Sequence, residues 1–195
     1  MKKRLLCLLG LALPLAALAN PENYTLDPYH TYPYFEVDHL GVSTMRGTFT
    51  RSSGKFTIDR AAKAGSIELN VETASIATGD SEKGSRPRAR DEHLRSADFF
   101  NVAEFPRMTF KSTGVKFSGD NPAEIAGNLT LLGVTKPLTL KIERWNCREH
   151  PVYKKPMCGG NASAGLKRSE FGMKYGLAGI GDDLKLFFEF EAFKD

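Results

Sequence analysis

Apolar and polar residues alternate at every second position through most of this chain, and that alternation limits its fold more than any other feature. In Ile67-Glu68-Leu69-Asn70-Val71-Glu72 every odd residue is apolar, and Leu138-Thr139-Leu140-Lys141-Ile142-Glu143 repeats the pattern with the apolar residues at even positions. Leu184-Lys185-Leu186-Phe187-Phe188-Glu189-Phe190-Glu191 follows it with one break, at Phe187. Side chains alternate faces along an extended strand, so each segment has one apolar and one wet face. The same reading places strands at Tyr32–Leu40, Gly47–Thr50, Gly54–Ile58, Arg107–Phe117, Glu124–Leu132 and Ala162–Ser169, most of them bounded by Gly, Asn-Pro or Ser-Gly turn signals. About eight or nine such strands, joined by short connections and without a βαβ rhythm, imply an all-β antiparallel barrel or sandwich.

One stretch breaks the alternation. Arg90-Asp91-Glu92-His93-Leu94-Arg95-Ser96-Ala97 is rich in helix formers and predicts a short helix near residues 88–98, on a long connection. At the start of the chain, Lys2, Lys3 and Arg4 precede an apolar run from Leu5 to Leu18 that closes on Ala17-Leu18-Ala19. This is the pattern of a secretory signal peptide, so residues 1–19 are expected to be cleaved near Ala19, leaving one domain of residues 20–195 in the periplasm or secreted. The apolar run is shorter than the ~20 residues a spanning helix needs. Cys7 lies inside it and is expected to be discarded.

The chain carries 27 basic and 23 acidic residues, and loss of the leader removes positive charge only. The remaining domain is close to neutral, which gives no support to nucleic-acid binding. Arg86, Arg88, Arg90 and Arg95 are moreover interleaved with Asp91, Glu92 and Asp98. Cys147 and Cys158 remain, and in an oxidising compartment a disulfide is the simplest reading, closing a loop that contains Pro151 and Pro156. A metal site made with His150 is the alternative, but no fourth ligand stands at a recognisable spacing.

Phe35, Val37, Phe56, Ile58, Leu69, Val71, Phe110, Leu129, Leu131, Leu140, Leu186, Phe188 and Phe190 all fall on the apolar side of their strands. A barrel of about eight strands either fills its interior with such residues or holds one small ligand. Alternation alone leaves both open.

The segment Arg90-Asp91-Glu92-His93-Leu94-Arg95-Ser96-Ala97-Asp98-Phe99-Phe100, followed by Phe105-Pro106 and Phe110, resembles the signature of the YceI-like family. His39-Leu40-Gly41 with Gly47-Thr48-Phe49 supports the match upstream, and Gly127-Asn128-Leu129-Thr130-Leu131-Leu132-Gly133-Val134-Thr135-Lys136-Pro137 supports it downstream. Arg168-Ser169-Glu170-Phe171-Gly172-Met173 looks like the family's closing motif. The resemblance covers essentially all of residues 20–195. It implies an extended, lipocalin-like antiparallel β-barrel with a short helical segment, which holds a long apolar molecule in its interior. The implied ligand is a polyisoprenoid, an isoprenoid quinone or a fatty-acid derivative; no other cofactor is expected, and the cysteine count and spacing give the expectation of no metal. Phe35, Val37, Phe49, Leu69, Phe110, Leu129, Leu131, Phe171, Met173, Leu186, Phe188 and Phe190 are the residues expected to line the site. His39, Arg90, His93 and Arg95 are the donors expected near a polar head group, with structural ion pairing as the alternative role for the arginines.

The same motif contains the best catalytic candidates. Asp91, Glu92 and His93 place carboxylates beside an imidazole, the materials of a hydrolase-like or metal-dependent enzyme. On a regular helix, however, Asp91 and His93 lie about 200° apart. The chain has no Gly-x-Ser-x-Gly elbow, no His-Glu-x-x-His and no phosphate-cradling loop after the leader. The expectation is therefore a binding protein rather than an enzyme. Transient contact with a membrane during ligand exchange fits that role. Outward aromatics such as Tyr34, Phe187 and Phe193 are candidates for a homodimer interface or for packing under loops.

Overall fold

A computed structural model describes residues 20–195. The expected leader, with Cys7, lies outside the described residues. Eleven strand segments follow one another: β1 (Glu22–Leu26), β2 (Tyr32–His39), β3 (Ser43–Phe49), β4 (Ser52–Asp59), β5 (Ala64–Glu72), β6 (Ile76–Ala77), β7 (Arg107–Ser118), β8 (Asn121–Leu131), β9 (Val134–Glu149), β10 (Pro156–Lys167) and β11 (Ile180–Lys194). One helix, α1 (Arg90–Arg95), sits on the connection between β6 and β7.

Every pairing is antiparallel, and the registers join several segments into single interrupted strands. Both β1 and β2 pair with β11, through Leu26↔Ala192 and Phe35↔Leu186. Opposite them, β1 pairs with β4 and β2 with β3, while β5 and β6 pair with that same partner strand. Thus β1/β2, β3/β4 and β5/β6 each act as one strand, and with β7 to β11 they give an eight-stranded meander closed by β11 against β1/β2. Closure removes the outer edges of the sheet, although the β9–β10 ladder stops at Lys141↔Ser163 and the β5–β7 ladder at Glu68↔Lys111. The break between β1 and β2 is a turn in which the Asp27 carboxylate accepts a hydrogen bond from the Tyr29 N–H at 2.9 Å.

The strand directions sort the connections onto two ends. The upper end carries the β2–β3 turn, residues 78–106 with α1, the β8–β9 turn, and residues 168–179. The lower end carries the β4–β5, β7–β8 and β9–β10 loops. Two upper turns are built alike: Leu40-Gly41 has φ of 60° and 66°, and Leu132-Gly133 has φ of 50° and 72°. Two successive positive φ values match the right-handed twist of a tight hairpin. A Cβ on Gly133 would also stand 2.9 Å from the Phe105 ring, so this hairpin packs against the long connection only with glycine there.

The strands around the cysteines differ from the expectation. The segment expected to be a loop is strand on both sides, with Cys147 directly opposite Cys158, and the two are disulfide-bonded. Inward-facing positions run through Leu138, Leu140 and Ile142, then shift to Trp145 and Cys147 across a bulge near Asn161 and Ala162 in the pairing. That change of phase hides the continuation of β9. β1 also lies outside the expected set, because only Tyr24 and Leu26 carry its alternation.

Candidate functional site

The barrel interior is filled unevenly. In its upper half it holds a partly open cavity of about 140 Å³, walled by Phe35, Val37, Phe49, Leu69, Met108, Phe110, Leu129, Leu131, Leu138, Leu140, Leu166, Leu184, Leu186 and Phe188 from the strands. Leu94, Phe99 and Phe100 from the long connection, and Arg168, Met173 and Ile180 from the segment before β11, complete its upper wall. A water-sized position takes ~10–15 Å³, so the cavity has room for on the order of ten heavy atoms. Met108, Leu138, Leu166, Leu184 and Leu186 remain half-buried although they line this interior space.

Below it, a second cavity of about 30 Å³ lies among Phe56, Ile67, Ile125, Trp145, Phe190 and their neighbours. Leu140 and Phe188 line both cavities and form the partition between them. The Trp145 indole N–H is buried without an oxygen or nitrogen acceptor. Its ring lies against Phe56 and Phe190, with centroids at 5.6 and 5.8 Å.

Most of the expected lining residues meet at the upper cavity: Phe35, Val37, Phe49, Leu69, Phe110, Leu129, Leu131, Met173, Leu186 and Phe188. Five expected site residues do not. Phe190 lies one strand period further down and lines the lower cavity. Phe171 is buried within the 3-10 turn Arg168–Phe171 and packs into the core. His39 ends β2, where it pairs with Ser43 and Ile180 in the sheet. Arg90 is turned to Asp80 at 3.2 Å and to the Thr78 hydroxyl at 3.4 Å. His93 pairs through Nε2 with Asp98 at 2.8 Å, its ring edge-on to Phe99 and Tyr175.

The polar residues of the signature motif instead tie the long connection to the barrel. Arg95 donates to the Ala74 and Ile76 carbonyls at 2.9 and 2.7 Å, which fixes the connection against β6. Asp91 is buried and accepts from the Thr78 N–H at 2.9 Å and its hydroxyl at 2.6 Å. The carboxylate facing His93 is therefore Asp98, which the sequence reading did not pair with it. Hydrogen bonds from His93 and then Arg88 hold the Asp98 carboxyl below its ordinary pKa. Among the described residues no group of three His, Cys, Asp or Glu is arranged to hold a metal ion. His150 accepts the Val152 and Tyr153 N–H groups, and its ring stacks on Tyr153.

Arg168 was not singled out from the sequence as a site residue. It is 2% exposed and lines the upper cavity. Its guanidinium donates to four backbone carbonyls: Gly181 at 2.8 Å, Met173 at 3.1 Å, Tyr175 at 2.8 Å and Ile180 at 2.8 Å. Burial pushes its pKa down from the ordinary arginine value. Strand parity is the signal that would have found it: Ala162, Ala164 and Leu166 are the core-facing positions of β10, and Arg168 is the next in phase.

Against known proteins, residues 24–192 match the model of the YceI-like domain. A "UPF0312 protein" of Pseudomonas aeruginosa is 37% identical over 198 residues, spanning 100% of this chain and 99% of the relative. Among solved structures, BcnA of Burkholderia cenocepacia superposes with a TM-score of 0.69 at 20% identity, covering 85% of this chain and 98% of that one. A polyisoprenoid binding domain from Saccharophagus degradans superposes with a TM-score of 0.63 at 16% identity, covering 88% and 98%. These two share the barrel fold, and the family assignment rests on the domain match and the P. aeruginosa relative. By these matches the chain belongs to the YceI-like family.

Proposed function

We propose that this barrel is an extracytoplasmic carrier or store for a long apolar molecule of the polyisoprenoid, isoprenoid-quinone or fatty-acid class, held in the upper cavity. The carrying observation is a cavity of about 140 Å³ walled almost wholly by apolar side chains, inside a barrel whose lower half is densely packed. The polyisoprenoid binding domain of S. degradans, which shares the fold, supports the ligand class. The leader pattern at residues 1–19 supports export.

Enclosing roughly ten carbons at ~0.8 kcal/mol per CH₂ contributes about 8 kcal/mol. Association costs ~4–15 kcal/mol, so the enclosed stretch alone gives weak binding. A tighter ligand either has a head group that finds a partner or has a chain that pushes past Leu140 and Phe188 into the lower cavity. Exchange with a membrane fits the apolar residues exposed at the upper end, Leu40, Val42, Tyr175 and Leu177. The binding role is favoured over catalysis because Asp98 is shared between His93 and Arg88, and the His93 ring is packed between Phe99 and Tyr175.

The test is native mass spectrometry of the purified protein, before and after titration with a prenyl alcohol, alongside organic extraction. A one-to-one adduct that leaves with the solvent phase is expected. A protein that yields no extractable lipid and takes up neither a prenyl alcohol nor a fatty acid contradicts the reading.

A further inference from the structure

We propose that Arg168 is the head-group site of the upper cavity and that it selects apolar chains ending in a carboxylate. This deepens the carrier reading and rests on it. Arg168 is the one charged side chain lining the cavity among the described residues. A guanidinium has five N–H donors. Four are used: Nε on Gly181, both of Nη1 on Met173 and Tyr175, and one of Nη2 on Ile180. The fifth, on Nη2, has no acceptor among the described residues.

No carboxylate among the described residues stands within ion-pair distance of Arg168, and only the more distant Asp182 offsets its charge. Neighbouring acids are committed elsewhere: Glu170 pairs with Lys136 at 3.8 Å, and Asp183 with Lys167 at 2.8 Å. Asp182 accepts from the Ser169 N–H and hydroxyl, both at 2.8 Å. Buried charges are normally paired, because desolvation is otherwise uncompensated. Four carbonyl dipoles offset part of that cost and hold the group rigidly at the cavity wall. A carboxylate entering the apolar cavity supplies the missing acceptor together with a negative charge in direct contact. An alcohol supplies only the acceptor, and a hydrocarbon supplies neither.

The experiment titrates the full-length mature protein with decanoate, decan-1-ol and decane at pH 8, read by calorimetry and native mass spectrometry. A charge-assisted hydrogen bond in a dry site is expected to favour decanoate over decan-1-ol by at least about tenfold. Equal affinities within about twofold, or preference for the alcohol, would overturn the assignment while leaving the cavity's apolar binding intact. Binding of none of the three, nor of a prenyl alcohol, would sink the carrier reading itself and this one with it. Arg168→Gln adds a second arm: whatever its overall affinity, its ratio of decanoate to decan-1-ol affinity should fall to within about twofold. Because the unmodified protein carries the primary comparison, a failure of that variant to fold does not rescue the proposal.

Discussion

The lower and upper halves of the barrel share the same strands and the same inward–outward alternation, yet one is packed and the other is hollow. In the lower half, Trp145 of β9 reaches Phe56 of β4 across the interior, and rings at neighbouring sheet positions stack beside that pair. Tyr24 stacks on Phe56 at 4.7 Å, Trp145 reaches both Phe56 and Phe190, and Phe188 stacks on Phe190 at 5.4 Å. In the upper half the rings are more widely spaced around the wall: Phe49 lies 6.3 Å from Phe35 and 5.3 Å from Phe100. The facing wall, from β9, β10 and β11, presents Leu138, Ala164, Leu166, Leu184 and Leu186, which do not span the gap. Alternation decides which side chains point inward. Their reach across the axis decides whether the interior is full.

The largest expected difference between the halves is in truncation. Phe56→Ala removes a ring that touches three others, and should cost ~3–5 kcal/mol. Leu184→Ala enlarges a space that already exists and should cost under about 2 kcal/mol. Urea denaturation with unchanged m-values measures both. Equal losses would mean that the upper half is packed as well.

Reduction of Cys147–Cys158 should have the next effect. The bond fixes β9 to β10 beside Trp145, and the chain-entropy model credits a loop of this size with up to about 3 kcal/mol. Hydrogen exchange should rise in the lower parts of β9 and β10, with ligand affinity in the upper half unchanged. Loss of affinity on reduction would show the halves to be coupled.

The smallest effect concerns Glu22, which clasps the closing strands by accepting from Lys194 at 2.6 Å and Arg60 at 2.5 Å. The hydrogen bond from Lys194, opposed in part by burial and assisted by Arg60, lowers its pKa. A depressed folded-state pKa stabilises above the unfolded value and loses that contribution as pH falls through the folded one. Glu22→Gln should therefore cost under about 1 kcal/mol at neutral pH, with the deficit shrinking in acid. Melting temperatures of both proteins across that range check the sign.

The fold was largely legible because period-two alternation survives in most strands. It failed where the phase shifts, as between Ile142 and Trp145, and where a strand is too short to repeat, as in β1. The apolar lining was legible for the same reason. The polar part was not: Arg90, His93 and Arg95 stand in the most recognisable motif, yet they bind Asp80, Asp98 and backbone carbonyls outside the cavity. A helical turn on a connection gives no strand parity, so nothing local says which way its side chains point. Arg168 does follow strand parity, and a charge at an inward position was the signal to read.

The most direct test of the hollow upper half is Leu186→Trp, since Leu186 is half-buried on the cavity wall and a larger side chain can enter the space before it. Melting temperature and prenyl-alcohol binding are measured together. Loss of binding with a nearly unchanged melting temperature is the expected result. A stability loss of ~1–3 kcal/mol, the usual cost of overpacking a filled core, in a protein that never bound the ligand would contradict it.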